Sequence, residues 1–215
     1  MIQNSKAIIE LKVKVIILTI FFLGTLTSAK CQQFFKGSIV AGINASQIDG
    51  DNLAGYDKFG FTAGAKVEFP LNSVLDFGLE FLISQRGSRS QIFPGQFIDI
   101  QQIHLNYAEL PIIIKWSDWW VEEHEFYRFN IHGGISLGRL ISAKTNFSPS
   151  AISGNFVNND ISLLLGSGFS YSKNWTFSIR FTRSLNRLYI QEIANQEQFS
   201  GLVGYFVTVR SEYNF

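Results

Sequence analysis

The sequence predicts an all-β fold: an eight-stranded antiparallel transmembrane β-barrel of the outer-membrane type, arranged as an up-and-down meander. Apolar and polar residues alternate with period two in eight segments, which indicates strands with two different faces. The connections between these segments alternate between long and short, as they do when the two ends of a barrel face different media. Aromatic residues make up 15% of the 215 residues and charged residues only 16%, against about 25% charged in soluble domains.

The N-terminal segment 1–31 has the features of an export signal. Its basic region contains Lys6, Lys12 and Lys14. The apolar stretch 15–26 follows, and it is shorter than the ~20 residues of a membrane-spanning helix. We expect a signal peptide here and the barrel domain over 32–215.

Two cleavage sites are compatible with this signal, one after Ala29 and one after Cys31. A lipid-modified Cys31 is the alternative, but Lys30 stands where lipoprotein signals place a small residue. Cleavage after Cys31 would leave 14 of the 18 basic and 16 of the 17 acidic residues, and no cysteine. The sequence therefore predicts an exported protein without disulfides and without the basic character of a nucleic-acid binder.

The first four predicted strands lie within residues 35–116. Strands one (35–47), two (59–69) and three (75–84) alternate apolar residues with small, polar or charged ones, most clearly in FGFTAGAKVEF. Strand four (103–116) is less regular, because three isoleucines follow one another. Its best register places Trp116 on the apolar face and its charged residues on the other.

The last four strands follow the same rule. Strand five (126–138) alternates through FYRFNI, and strand six (160–171) ends at the turn SKN. Strand seven (175–182) reads WTFSIRFT, with every second residue apolar. Strand eight (204–215) ends the chain as GYFVTVRSEYNF, with an aromatic residue in last place.

Connection lengths predict which end of the barrel faces the periplasm. The long connections follow strands one, three, five and seven and cover 48–58, 87–101, 139–159 and 184–200. Outer-membrane barrels have short periplasmic turns and an aromatic girdle at the membrane boundary. We therefore predict a periplasm-side girdle at the short-turn end, formed by Phe69, Trp116, Trp119, Trp120, Tyr171, Trp175, Tyr213 and Phe215.

A secreted soluble barrel of the lipocalin type shares the strand count and is the rival architecture. Its apolar face would point inward and its charged face would meet water. The alternating connection lengths and the phenylalanine-rich ends of the strands favour the membrane barrel.

Charged residues on the polar faces would point into the barrel. We predict an interior network of five bases and five acids that fills the barrel with ion pairs: Lys66, Glu68, Asp76, Glu80, Glu109, Lys115, Arg128, Arg180, Arg210 and Glu212. The alternative is that several of these residues lie near the barrel mouths and are solvated.

Catalytic and metal-binding patterns are weak in this sequence. His132 shares the predicted inward face with Ser136 and Ser162, but a barrel interior commonly offers such residue types without a nucleophile. His124 stands among acidic residues in a turn, where flexible carboxylates make a poor metal site. We expect no catalytic residue, no metal and no cofactor.

Two long connections contain possible binding features. IDGDNLAGYDK is acidic, with Asp49, Asp51 and Asp57, but lacks the spacing of a calcium-binding loop. Residues 186–199 are a candidate apolar partner surface that includes Leu188, Ile190 and Ile193, and ordinary loop packing is the alternative.

The C-terminal strand has a second predicted role. Its apolar face ends on the last residue of the chain, which resembles the signal read by the barrel-assembly machinery. We predict that this signal consists of Val207, Val209, Tyr213 and Phe215.

Essentially all of the mature chain resembles the PorT family of outer-membrane barrels, and the most specific matches lie in residues 37–115. The first resembling stretch is GSIVAGINASQIDGDNLAGYDKFGFTAGA, and the matching positions are Gly42, Asn44, Gly50, Asp51, Gly55, Tyr56, Lys58, Gly60 and Gly64. FGLEFLISQRGS matches through Glu80, Gly87 and Ser88, and LNYAELPIIIKW matches through Tyr107, Glu109 and Pro111. The resemblance implies a Gram-negative outer-membrane barrel, whose founding relative is associated with type IX protein secretion.

These observations predict a non-enzymatic outer-membrane barrel that is a structural or interaction component with a role in protein secretion. Its expected partners are outer-membrane lipid, the barrel-assembly machinery and other envelope or secretion proteins, and not nucleic acid. A small-solute pore or ligand transporter is the alternative, and a membrane-embedded lipid hydrolase is a third.

Overall fold

The computed structural model describes residues 35–49, 58–89, 102–145, 156–188 and 203–215. It contains eight strands: β1 (Lys36–Asp49), β2 (Lys58–Pro70), β3 (Leu75–Arg89), β4 (Gln102–Val121), β5 (Phe126–Thr145), β6 (Asn159–Ser170), β7 (Trp175–Ser184) and β8 (Val203–Asn214). Each strand pairs antiparallel with the next, and β8 pairs with β1 to close a barrel. The predicted fold class is confirmed. Within the described segments, no helix is long and apolar enough to cross a membrane.

Strands β4 and β5 are longer than predicted and form one extended hairpin. The predicted connection SDWWVEEHE is largely strand, and only residues 122–125 form the turn. Trp120 pairs with Tyr127 across this hairpin, and their rings meet edge to face at 4.9 Å. Aromatic cross-strand pairs stabilise such a ladder, which explains why the strands continue beyond the sequence-predicted boundary.

The pairing register determines how steeply the strands tilt. From Phe69 on β2, successive partners can be followed through all eight strands back to Phe59 on β2. The partners on the way are Phe77, Ile114, Gly133, Leu165, Phe181, Val207 and Ala45. The circuit returns ten residues nearer the loop end, so the shear number is ten. With eight strands, this shear corresponds to a tilt of about 40°.

The two faces of the strands are inverted relative to a soluble barrel. Large apolar residues point outward and are exposed, such as Phe59 at 67% and Leu165 at 61%. Polar residues point inward and are buried, such as Asn44 and Ser162 at 0%. Because exposed apolar belts are stable in lipid and not in water, this arrangement overturns the soluble-barrel alternative.

The loop end of the interior is filled by an apolar cluster formed by Ile48, Ile103, Leu105, Tyr107, Phe156 and Leu188. Val157, next to Phe156, donates a hydrogen bond to the carbonyl of Leu188 at 2.8 Å, which joins two of the long connections. Leu188 had been predicted on an exposed partner surface, but it is only 2% exposed. At this residue the alternative of ordinary loop packing holds, because residues 185–188 bring Leu188 into the apolar cluster.

Several sequence predictions lie outside the described residues. They include the signal segment 1–31 and most of the acidic connection after β1, with Asp51 and Asp57. Ile190 and Ile193 of the predicted partner surface also lie there.

The seam between β8 and β1 involves the last residues of the chain. The backbone amide of Phe215 donates to the carbonyl of Gly37 at 3.0 Å. The hydroxyl of Ser38 donates to the Asn214 side-chain oxygen at 2.6 Å. The C-terminal residue is therefore part of the closed ladder.

Candidate functional site: the charged interior of the barrel

Most of the charged residues predicted to point inward are buried in the barrel. Eight of them are no more than 6% exposed: Lys66, Glu68, Asp76, Glu80, Glu109, Arg180, Arg210 and Glu212. The side chain of Lys115 is 15% exposed. Period-two alternation brings these residues inside, because their strands present apolar neighbours to the outside.

Glu80 lies at the centre of the interior and binds two arginines. Arg180 Nη1 and Nη2 donate to its two carboxylate oxygens at 2.7 and 2.9 Å, a bidentate arrangement. Arg210 Nη1 approaches the same carboxylate at 3.0 Å, and its Nη2 binds Glu212. Such charge-assisted pairs are strong where water is excluded.

The chain of ion pairs continues from Glu212 toward the turn end. Lys66 binds both Glu212 and Glu68, the latter at 3.1 Å. Lys115 Nζ lies 2.6 Å from the Glu68 carboxylate and 2.9 Å from the Asp76 carboxylate, and so connects the two.

Lys36 ends this chain at the turn-end mouth, where its Nζ lies 3.7 Å from Asp76 and its side chain is 56% exposed. The members alternate strictly in sign in the order Arg180, Glu80, Arg210, Glu212, Lys66, Glu68, Lys115, Asp76 and Lys36. We call these nine residues the ion-pair chain.

A second charged group lies nearer the loop end and is centred on Arg86. Its guanidinium binds Glu109 and Asp160, each at 2.6 Å. The same guanidinium lies over the rings of Tyr107 and Phe206, at 4.8 and 4.2 Å from their centroids. Two carboxylates and two aromatic faces thus hold one cation in place.

Arg86 and Asp160 were missing from the predicted network. Arg86 continues the inward alternation from Glu80 through Ser84, in the part of β3 that the sequence prediction left out. Asp160 stands two residues before the inward-facing Ser162. Extending the period-two pattern along β3 would have found Arg86, and applying it to the first residue of predicted strand six would have found Asp160.

The space between the two charged groups is small. A cavity of about 10 Å³ is bordered by residues of both groups, among them Glu109, Arg180 and Phe206. This volume is at the lower limit for one water molecule. The side chains of the two charged groups therefore leave little space between them.

The residues considered for catalysis have separate partners. His132 accepts a hydrogen bond from Arg180 Nε at its Nε2 and contacts Asn130 through Nδ1, both at 3.3 Å. Ser136 donates to Glu109, and Ser162 donates to Asp160. A nucleophile needs its base within hydrogen-bond reach, and these hydrogen bonds do not make that pair.

The turn at His124 was considered as a metal site in the sequence, and no metal was expected there. Its ring stacks on Phe126 at 6.3 Å. Within the described segments, no group of three or more potential metal ligands comes together.

Arg128 and Trp119 differ from the predictions made for them. Arg128 points along the inward register near the turn-end mouth, but within the described residues it makes no ion pair. Its guanidinium lies 5.6 Å from the ring centroid of Trp119. Trp119 has a left-handed backbone with φ of 62°, and its position in the hairpin is opposite Arg128 and not in the lipid-facing row. Trp119 has the same parity as Lys115 and Ser117, so period-two alternation itself separates it from Trp116 and Trp120.

Trp119 is itself 59% exposed, and the other seven residues of the predicted girdle are also exposed at the turn end: Phe69, Trp116, Trp120, Tyr171, Trp175, Tyr213 and Phe215. Trp175 and Tyr213 meet edge to face at 5.1 Å, and Tyr213 and Phe215 do so at 5.6 Å. Val207 and Val209 follow in the outward row of β8.

Comparison with known proteins gives the family context. The sequence profile of a family described as outer membrane protein beta-barrel domain matches residues 31–189. No curated protein matches the chain in sequence.

Similar solved structures include the attachment invasion locus protein Ail of Yersinia pestis, at 12% identity and a TM-score of 0.46, covering 84% of this chain and 99% of that one. Neisserial surface protein A is similar at 11% identity and a TM-score of 0.48, covering 85% and 98%. The N-terminal β-barrel domain of Pseudomonas aeruginosa OprF is similar at 9% identity and a TM-score of 0.39, covering 83% and 97%.

Proposed function

The chain belongs to the outer membrane protein beta-barrel domain family, and from this premise we propose that it is a non-enzymatic, non-conducting barrel of the cell outer membrane. Its role is that of a structural or interaction component of the envelope. An N-terminal signal peptide delivers it there, and the barrel-assembly machinery inserts it through the C-terminal strand.

The ion-pair chain is the observation that supports a non-conducting barrel. A channel of one charge sign attracts counter-ions into an open lumen. Here each cation of the chain lies against a carboxylate, from Arg180 at the centre to Lys36 at the mouth. An ion entering the barrel would have to separate these pairs, which is unfavourable in a water-poor interior.

A role in type IX protein secretion is the finer part of the proposal and depends on the PorT resemblance. The matching residues that the structure describes pack the barrel. Asn44, for example, donates to the carbonyl of Gln85 at 3.0 Å and accepts from Thr208 at 2.8 Å. These contacts support the shared architecture, while the secretion role is inferred from the family resemblance alone.

Planar-bilayer recording of the purified full-length protein tests the non-conducting barrel. We expect no steady large openings. A matched variant with Glu80→Gly, Arg180→Gly and Arg210→Gly removes the central side chains and should raise the frequency of openings. Steady openings of the unaltered protein would overturn the proposal in favour of a pore.

The secretion role needs a separate experiment in the cell. Deletion of the gene should reduce the extracellular amount of type IX substrates, and the unaltered gene should restore it. The Glu80→Gly variant, if assembled to normal levels, should restore secretion as well, because the role is assigned to surfaces of the barrel. Normal secretion in the deletion strain would remove this part of the proposal and leave the barrel assignment untouched.

A further inference from the structure

Two arginines point outward among apolar side chains that face lipid. Arg183 is on β7 between Phe181 and Leu185, which are 43% and 62% exposed. Arg139 is on β5 in the same kind of row. A guanidinium in such a row requires a polar environment at its own height in the membrane.

The surroundings of Arg139 repeat this pattern. Its neighbours in the outward row are Leu137 and Ile141, which are 43% and 58% exposed. Its Nη1 donates to the side-chain oxygen of Asn159 on β6 at 2.7 Å. This bond fixes one edge of the guanidinium and leaves other N–H groups directed away from Asn159.

The register places Arg183 at the membrane boundary opposite the aromatic girdle. Eight residues separate it from Trp175, about 27 Å along the strand. At a tilt of about 40°, this distance is about 20 Å along the barrel axis. The apolar band of such barrels is about 25 Å tall, and the arginine side chain extends several ångströms further.

Arg139 lies at almost the same height. It pairs with Asn159, four residues loopward of Leu163, which pairs with Arg183. Because the strands tilt, the hydrogen-bonded partners of a residue lie progressively nearer the loop end on the following strands. For a shear of ten over eight strands, the rise from β5 to β7 equals about 2.5 residues and offsets that part of the four-residue difference. The remaining 1.5 residues correspond to about 4 Å of height.

Among the described residues, these two arginines have no acidic partner. Strands β5 to β7 contain one acid, Asp160, which is buried inside the barrel against Arg86. Within the described residues, neither Arg139 nor Arg183 makes an ion pair. At the turn end, the charged residue of the outward row is the acidic Asp118.

We propose that Arg139 and Arg183 form a lipid-binding surface for the phosphate group of an anionic lipid in the leaflet at the loop end. A guanidinium suits this ligand because it binds phosphate oxygens with two parallel N–H groups. The exposed side chains of Leu185 and Ile141 border the same surface and would contact the acyl chains. The pair thereby anchors the loop-end boundary on one side of the barrel.

Native mass spectrometry of the full-length protein in nanodiscs tests this surface. The nanodiscs contain equal amounts of phosphatidylglycerol, which is anionic, and phosphatidylcholine, which is zwitterionic. We expect the unaltered protein to retain phosphatidylglycerol preferentially. Each arginine removed should reduce this retention about fivefold.

Three variants make the comparison specific. Arg139→Gln with Arg183→Gln should lose the preference, and Arg139→Lys with Arg183→Lys should keep most of it. A control that removes two cations at the opposite end, Arg128→Gln with Lys173→Gln, should keep it fully. A folded barrel is verified for each variant by its heat-dependent shift in electrophoresis.

Each other outcome overturns the proposal. The proposal fails if the unaltered protein shows no preference for phosphatidylglycerol. It also fails if the variant with Arg139→Gln and Arg183→Gln retains phosphatidylglycerol as well as the unaltered protein does. If inorganic phosphate at millimolar concentration abolishes the preference for phosphatidylglycerol, the surface recognises the free anion and the assignment to a lipid fails.

Discussion

Arg180 on β7 binds Glu80 on β3 through two parallel hydrogen bonds of 2.7 and 2.9 Å. The two strands lie on opposite walls of the closed barrel, four strands apart in either direction. This pair therefore crosses the interior and connects elements that share no ladder. It also places a full negative charge where 0% of the carboxylate side chain is exposed.

Glu80→Gln should destabilise the barrel strongly, because it leaves Arg180 and Arg210 buried without the carboxylate that both bind. Removing one partner of a buried pair costs about 3–5 kcal/mol. Urea-induced unfolding from lipid vesicles, followed by tryptophan fluorescence, measures this loss. Glu123→Gln in the exposed turn is the matched control and should change the free energy of unfolding by less than about 0.5 kcal/mol. Equal stabilities of the two variants would contradict a structural role for the central pair.

Arg86→Lys should cost about 2 kcal/mol although it keeps the charge. A lysine cannot reproduce the planar contacts with Tyr107 and Phe206 while also binding Glu109 and Asp160. The same unfolding measurement checks this expectation. Arg128→Lys near the mouth is the control, since Arg128 lies against a single ring. An Arg86→Lys variant as stable as its control would show that charge alone holds this site.

Gly78→Ala should overpack the interior, because a methyl group there would lie 2.6 Å from Cγ1 of Ile113 on the neighbouring strand. Overpacking of this kind costs about 1–3 kcal/mol. Ile113→Ala removes the obstructing atoms but leaves a cavity of its own. In a double-mutant cycle, the double variant should therefore lose less free energy of unfolding than the two single variants lose in sum. Strict additivity would mean that the two positions do not compete for the same space.

Deletion of Phe215 should impair assembly of the barrel in the outer membrane. The deletion removes the amide that binds Gly37 and the ring that contacts Tyr213. Heat-dependent electrophoretic mobility of the membrane fraction measures the folded share. Phe215→Tyr retains both features and should assemble normally. Normal insertion of the truncated chain would count against the C-terminal signal.

The outward and inward faces could be predicted from the sequence because they depend only on alternation within one strand. Glu80 and Arg180 were assigned to the interior in this way, each from its own neighbours. Their pairing could not be predicted, because it depends on the shear of the closed barrel, which no single strand encodes. Trp119 was grouped with Trp116 and Trp120, although strict alternation along β4 gives it the opposite parity and would have separated it from them.

The ends of the strands were the least predictable parts. Arg86 lies where β3 passes into a glycine- and serine-rich stretch, so the prediction ended the strand before reaching it. Leu188 looked like an exposed apolar residue in a long connection, yet it fills the loop end of the barrel together with Phe156. Burial of a connection is a tertiary effect, and a local pattern does not report it.

The alternating charges of the interior also restrict how the strands can pair during assembly. Side chains repeat with period two, so a slip of one residue turns the whole inner row of a strand outward. On β3, such a slip would direct Asp76, Glu80 and Arg86 into hydrocarbon, while their partners would remain unpaired inside. Insertion of a misaligned barrel into the bilayer would therefore be unfavourable. The buried charges of the interior thus restrict the strands to one pairing register.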